Sequence, residues 1–102
     1  MSNDSADDFF ALPAFKPDEA ALTLRRQLRD VRSLSERSDQ FELRGHAVVG
    51  WRVEAGTVVA RIAKRPAVSP EWQTHVLKSS ADLRKFMGDV KKRVASWQDD
   101  ER

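Results

Sequence analysis

The 102 residues contain no cysteine. Disulfides, thiolate metal ligands and thiol nucleophiles are therefore excluded for this chain. Tyrosine is missing too, which removes a common stacking residue, and the aromatic stock is three tryptophans and five phenylalanines. The four glycines are Gly45, Gly50, Gly56 and Gly88, and their spacing fits neither a phosphate-binding loop nor a dinucleotide fingerprint. Apolar runs last only a few residues, so no segment reads as a membrane-spanning helix. The opening MSNDSADDFF is acidic before its apolar residues, unlike the basic start of a secretory signal. The expectation is a cytoplasmic protein.

Catalytic patterns are also missing. The serines form no nucleophile elbow and no Ser-x-x-Lys signature. His46 and His75 lack a carboxylate or histidine at a spacing that makes a metal site. The sequence thus predicts no enzyme, no cofactor, no metal and no membrane partner. Its length suits one domain. Residues 1–8 read as a disordered acidic N-terminus, 9–98 as the domain, and 99–102 as an acidic tail.

What is present is charge. Lys, Arg, Asp and Glu make up 33% of the chain, and the formal net charge is +2. That small figure hides an asymmetry. Residues 41–96 hold eleven bases against five acids, while residues 1–40 hold eight acids against six bases. A basic body between acidic ends is a hint of an anionic partner, but a bare charge count favours plain solubility.

The periodicity is that of an α+β domain. Pro17, Asp18 and Glu19 open a helix. Ala20, Leu24, Leu28, Val31 and Leu34 or Ser35 recur at helical spacing, and the run SERSD is expected to end the helix near residues 35–39. Arg25, Arg29 and Arg32 flank the stripe. Phe41 and Leu43 alternate with charged residues in a short strand ended by Gly45. Val49, Trp51 and Val53 then alternate with Gly50, Arg52 and Glu54. Placing Ala55-Gly56 as a two-residue turn opposes Val53 with Val58, Trp51 with Ala60 and Val49 with Ile62. All six then share one face, and a slip of one residue would destroy the match. On the other face Glu54 meets Thr57, Arg52 meets Val59 and Gly50 meets Arg61. Pro66 and Pro70 bracket a loop. WQTHVLK resumes as a strand, with Trp72, Thr74 and Val76 on one face and Gln73, His75 and Leu77 on the other; if the first set faces the core, His75 is on the solvent face. Ser79 and Asp82 resemble a capping box, and Leu83, Phe86, Met87, Val90, Val94 and Trp97 make a second helical stripe. Gly88 is expected to permit a close helix contact, and the late Lys and Arg residues to complement the helix dipole. The economical fold is α-β-β-β(-β)-α, an antiparallel meander with two helices on one face.

Helix, three strands, helix is also the element order of double-stranded RNA-binding domains. Here the last helix opens Ser79-Ser80-Ala81-Asp82-Leu83-Arg84-Lys85, with an acid in its first turn and without the basic pair of those domains. The order alone does not assign the chain to them.

Two sets of residues remain as candidate sites. Arg61, Lys64, Arg65 and Lys78, with Arg25 and Arg29, are candidates for binding anions or nucleic-acid phosphates. Phe9, Phe10 and Trp72 are candidates for docking a protein partner, and Trp72 is the one candidate platform for a base. The favoured reading is a non-enzymatic interaction module for a protein partner or for self-association, through an exposed strand edge or the Phe9–Phe10 arm. The alternative is a weak, backbone-directed RNA or DNA binder.

Overall fold

The computed structural model describes residues 15–100. Phe9 and Phe10, the acidic start 1–8 and the last two residues lie outside the described residues. The order is α1 (Pro17–Arg29), β1 (Ser35–Arg37), β2 (Gln40–Leu43), β3 (His46–Glu54), β4 (Thr57–Ala63), β5 (Trp72–Leu77) and α2 (Ser80–Asp100). The strands form one antiparallel sheet in the order β1-β2-β3-β4-β5. Both helices lie on one face, giving a two-layer α+β domain. No helix among the described residues is long and apolar enough to cross a membrane.

The β3–β4 hairpin adopts the register that the alternation demands. Val49 opposes Ile62, Trp51 opposes Ala60 and Val53 opposes Val58. The turn residues Ala55 and Gly56 have φ of +51° and +76°. Two successive left-handed residues match the twist of the flanking strands. Arg44 and Gly45, at φ +54° and +87°, do the same between β2 and β3. A bulge between Phe41 and Glu42 in the β2–β3 register puts one extra residue on β3. Val48 and Val49 are thus consecutive, and both are fully buried.

The core joins Phe41, Leu43, Val49, Val58, Ala60, Ile62 and Leu77 from the sheet to Leu24 and Leu28 of α1. From α2 it takes Leu83, Phe86, Met87, Val90, Val94 and Trp97. Each fully buried large aliphatic side chain contributes about 1.5–3 kcal/mol of transfer free energy. Phe15 packs on this core from ahead of α1.

Three sequence expectations are corrected. First, α1 ends at Arg29 rather than within SERSD. Val31 and Leu34 donate their amides to Leu28 O and Val31 O, at 3.1 and 3.0 Å. These turns still bury Leu34 and release Ser35–Arg37 to pair with β2. The sheet therefore has five strands. Second, β5 turns to the core the set that holds His75, so His75 is not on the solvent face. Leu77 opposes Val58, His75 opposes Ala60 and Gln73 opposes Ile62. These three face the helices, and Trp72, Thr74 and Val76 do not. Lys64 N–H donates to Glu71 O at 2.9 Å, closing the two strands in this register just inside the proline loop. Third, the last turn of α2 contains no basic residue. Lys91, Lys92 and Arg93 sit mid-helix, and Asp99 and Asp100 belong to the helix rather than to a tail.

The start of α2 follows the sequence. Asp82 N–H donates to Ser79 Oγ at 3.1 Å, and Lys78 N–H donates to Asp82 Oδ2 at 2.9 Å. Two amides at the helix start are satisfied reciprocally, as in a capping box.

Gly88 is exposed on α2, and a methyl group at its Cα would meet nothing within 4 Å. It therefore serves no close helix contact. Gly88→Ala is expected to raise stability by about 1 kcal/mol, because alanine loses less backbone freedom on entering a helix. Urea unfolding of the two proteins checks this, and a destabilised variant would contradict the open setting of Gly88.

Candidate functional site

With both helices on one side, the other side of the sheet has no helical layer among the described residues. Register places Gln40, Gly50, Arg61 and Thr74 in one row across four strands, with Arg52, Val59 and Val76 in the next. The surface forms an open depression of about 540 Å³, lined by Arg37, Gln40, Arg52, Arg61, Trp72 and Thr74 among others.

Its centre is a stacked pair. The Arg61 guanidinium carbon lies 4.4 Å from the centroid of the Trp72 ring, within the range of a cation–π contact. Trp72 sits one row along β5, opposite Ala63, and packs against the edge of the core. Gly50 makes the arrangement possible. A Cβ at that position would stand 2.9 Å from Arg61 Nε, so a side chain on β3 would push the guanidinium aside. The absence of a side chain on Gly50 lets Arg61 lie flat on the sheet.

Of the other arginines lining this surface, one is already engaged and one is not. Arg52 donates to Glu54 Oε1 from Nε and Nη2, at 3.2 and 3.1 Å. Arg37 is exposed and has no ion-pair partner among the described residues.

The six predicted cations do not converge. Arg25 and Arg29 lie on the helix side, where Glu36 points back from β1. Arg29 Nε donates to Glu36 Oε1 at 2.7 Å, and Arg25 Nε lies 3.1 Å from Glu36 Oε2. Arg25 also reaches Asp39 at 3.5 Å and lies 5.5 Å from the centroid of Trp51. Trp51 in turn stacks on Phe41 at 5.7 Å. These two arginines hold β1 and Trp51 onto α1. Lys64 and Arg65 follow β4 at the Trp72 end of the sheet, and Lys78 follows β5 at the other end. Arg61, Lys64 and Arg65 thus share one end of the sheet, and Lys78 stands a full strand away.

Sequence reasoning missed Gly50, Gln40, Thr74 and Arg37 as parts of this surface. Gly50 was legible, since the hairpin register already opposed it to Arg61. Thr74 was not, because the alternation of β5 leaves its core face open. Arg93 was also missed. It donates to Ala63 O at 3.1 Å and to Gln73 Oε1, and it lies 3.3 Å from Asp89 Oδ2. It ties α2 to the ends of β4 and β5.

On the helix side His75 meets Phe86 edge to face, with ring centroids 5.6 Å apart. Its Nε2 is buried and has no hydrogen-bond partner. Among the described residues no group of three or more metal-ligating side chains is placed to hold an ion.

Two predictions follow from these contacts. The Glu36 carboxyl is held below the usual carboxylate range, first by the hydrogen bond from Arg29 and further by the charges of Arg29 and Arg25. A carboxylate whose folded pKa is depressed stabilises the fold above its unfolded pKa, about 4.3, and loses that contribution as pH falls through the folded value. Glu36→Gln is therefore expected to lower the melting temperature at neutral pH, with the gap to the parent protein closing on acidification. A gap of constant size across pH would rule out the ion pair as its cause. For the stacked pair, a double-mutant cycle of Arg61→Ala and Trp72→Ala is expected to give a coupling of about 0.5–1 kcal/mol, as for exposed cation–π pairs. In a Gly50→Ala background the coupling should fall toward zero. A coupling unchanged by that substitution would mean that Gly50 has no part in the stack.

Comparison of the chain with protein-family models, with curated proteins and with solved structures gave no match.

Proposed function

We propose that this protein is a non-enzymatic interaction module that binds another protein chain on the open side of its sheet. The observation that carries this reading is the Arg61–Trp72 stack, pre-formed on a sheet face that no helix among the described residues covers. Tryptophan and arginine are the side chains that most often dominate binding energy at protein interfaces. Here they are ordered before any partner arrives, which lowers the entropy cost of association. Around them stand Thr74, Gln40, Val59 and Val76, a mixture of polar and apolar groups typical of such surfaces.

Nucleic acid is the second reading. It is favoured by the grouping of Arg61, Lys64 and Arg65 with Trp72 at one end of the sheet, where one base could stack and neighbouring phosphates be neutralised. It stands behind the first because Arg25 and Arg29 are spent on Glu36 and Lys78 is remote.

Lysine cross-linking in cell lysate, read by mass spectrometry, tests the choice. Lys64 and Lys78 flank the open side at its two ends, whereas Lys91 lies on the outer surface of α2. Links to another protein are expected at Lys64 and Lys78, and Arg61→Ala with Trp72→Ala should abolish them. Links confined to Lys91, or links that survive both substitutions, would refute this surface. A short single-stranded oligonucleotide is expected to shift no amide resonance at physiological salt. Saturable shifts at residues 61–65 that weaken as salt rises would replace the protein reading with the nucleic-acid one.

A further inference from the structure

We propose that the free edge of β5 receives a second copy of this chain. The two β5 strands pair antiparallel about a two-fold axis at Thr74, making one continuous sheet of both copies. This deepens the interaction-module reading and rests on it, since it names the partner and the seam.

The hydrogen-bond phase of β5 shows which groups are available. Lys64 N–H donates to Glu71 O at 2.9 Å, so Lys64 and Glu71 form a hydrogen-bonded pair. In an antiparallel ladder such pairs alternate with non-bonded ones. Gln73, His75 and Leu77, opposite Ile62, Ala60 and Val58, therefore turn their backbone groups toward β4. Trp72, Thr74 and Val76 turn theirs outward. Among the described residues no strand pairs with that side.

The two edges of the sheet differ in protection. β1 is three residues long and carries Glu36 and Arg37, and a short, charged edge resists pairing. β5 is six residues long and reads WQTHVL. It has no charge, no proline and no glycine, and no bulge interrupts its register. Such an edge accepts another strand.

The symmetry of the outward residues selects a second copy as that strand. Centred on Thr74, the pairing opposes Thr74 to Thr74 and Trp72 to Val76 in both directions. All three outward residues then form hydrogen-bonded pairs. Val76, which is 47% exposed, gains an aromatic neighbour across the seam, a favourable cross-strand combination. Shifting the centre to either neighbouring residue leaves part of the set unused, because Pro70 has no N–H and Lys78 N–H is already given to Asp82.

The helix layer borders the same edge. Beside the β5 edge, a cleft of about 260 Å³ is lined by Asp82, Lys85, Asp89 and Phe86 of α2 with His75 and Val76 of β5. The two-fold axis sets α2 against its copy, so this acid–base–acid row meets the same row reversed. The cleft, with the His75 Nε2 that has no hydrogen-bond partner among the described residues, then falls on the seam.

Sedimentation equilibrium and amide hydrogen exchange on the full chain test the proposal together. The parent protein is expected to sediment at twice its 11.6 kDa mass. Thr74→Lys places two like charges face to face on the axis and is expected to give a monomer. Thr74→Pro removes an N–H that only the seam uses, so it should also give a monomer with the rest of the sheet still protected. Exchange at Trp72, Thr74 and Val76 is expected to be slower by about tenfold or more in the parent than in Thr74→Lys. Gln73, His75 and Leu77 should stay protected in both. A parent chain monomeric at millimolar concentration overturns self-association. If it still yields Trp72-dependent cross-links to other proteins, the wider reading stands while this one falls. A dimer that persists in both variants, or fast exchange at the three outward amides within a dimer, overturns the β5 seam.

Discussion

The pairing of β3 with β4 is the constraint from which the rest of the molecule follows. Two left-handed turn residues, Ala55 and Gly56, hold the register in which six apolar side chains share one face. A face of that composition has to be covered, and each helix has one apolar stripe to cover it with. Both helices are therefore drawn to the same side. Among the described residues, the same step that builds the core leaves the opposite side of the sheet without a layer.

Along the other edge the decisive interactions are electrostatic. Glu36 reaches two arginines on successive turns of α1. In meeting them it takes Ser35–Arg37 out of the helix and into the sheet. Each ion pair is partly exposed and weak by itself. Together they fasten β1 to α1. They also settle the fate of Arg25 and Arg29, which as a row of basic residues resemble a phosphate grip and as folded side chains are fasteners for β1 and Trp51.

On the open side the pattern is reversed. Arg61 has no acid opposite it. It has Gly50 on one side and Trp72 on the other, so it lies flat over an aromatic ring. A pre-ordered arginine and tryptophan on a surface without a covering layer, beside an edge strand free of charge and proline, suit contact with another chain. The proposed function uses the open face, and the proposed seam uses the β5 edge that borders it.

Local patterns determined much of this by themselves. The β3–β4 register, the capping box at Ser79 and Asp82, both apolar helix stripes and the proline-bounded loop all depend on residues close in sequence, whose spacing admits one reading. Gly50 opposite Arg61 was contained in that register. Tertiary structure alone decided three things. The face presented by β5 was open because its two alternating sets, Trp72-Thr74-Val76 and Gln73-His75-Leu77, each hold apolar and polar groups. A ladder bond from Lys64 to Glu71 and the docking of Phe86 on His75 made the choice. The strand β1 was hidden because SER has no alternation of apolar and polar residues, and its place depends on arginines of a helix that must first dock. The separation of Lys78 from Lys64 and Arg65 was hidden because closeness in sequence says nothing about which ends of a strand they occupy until the strand's length and pairing are formed.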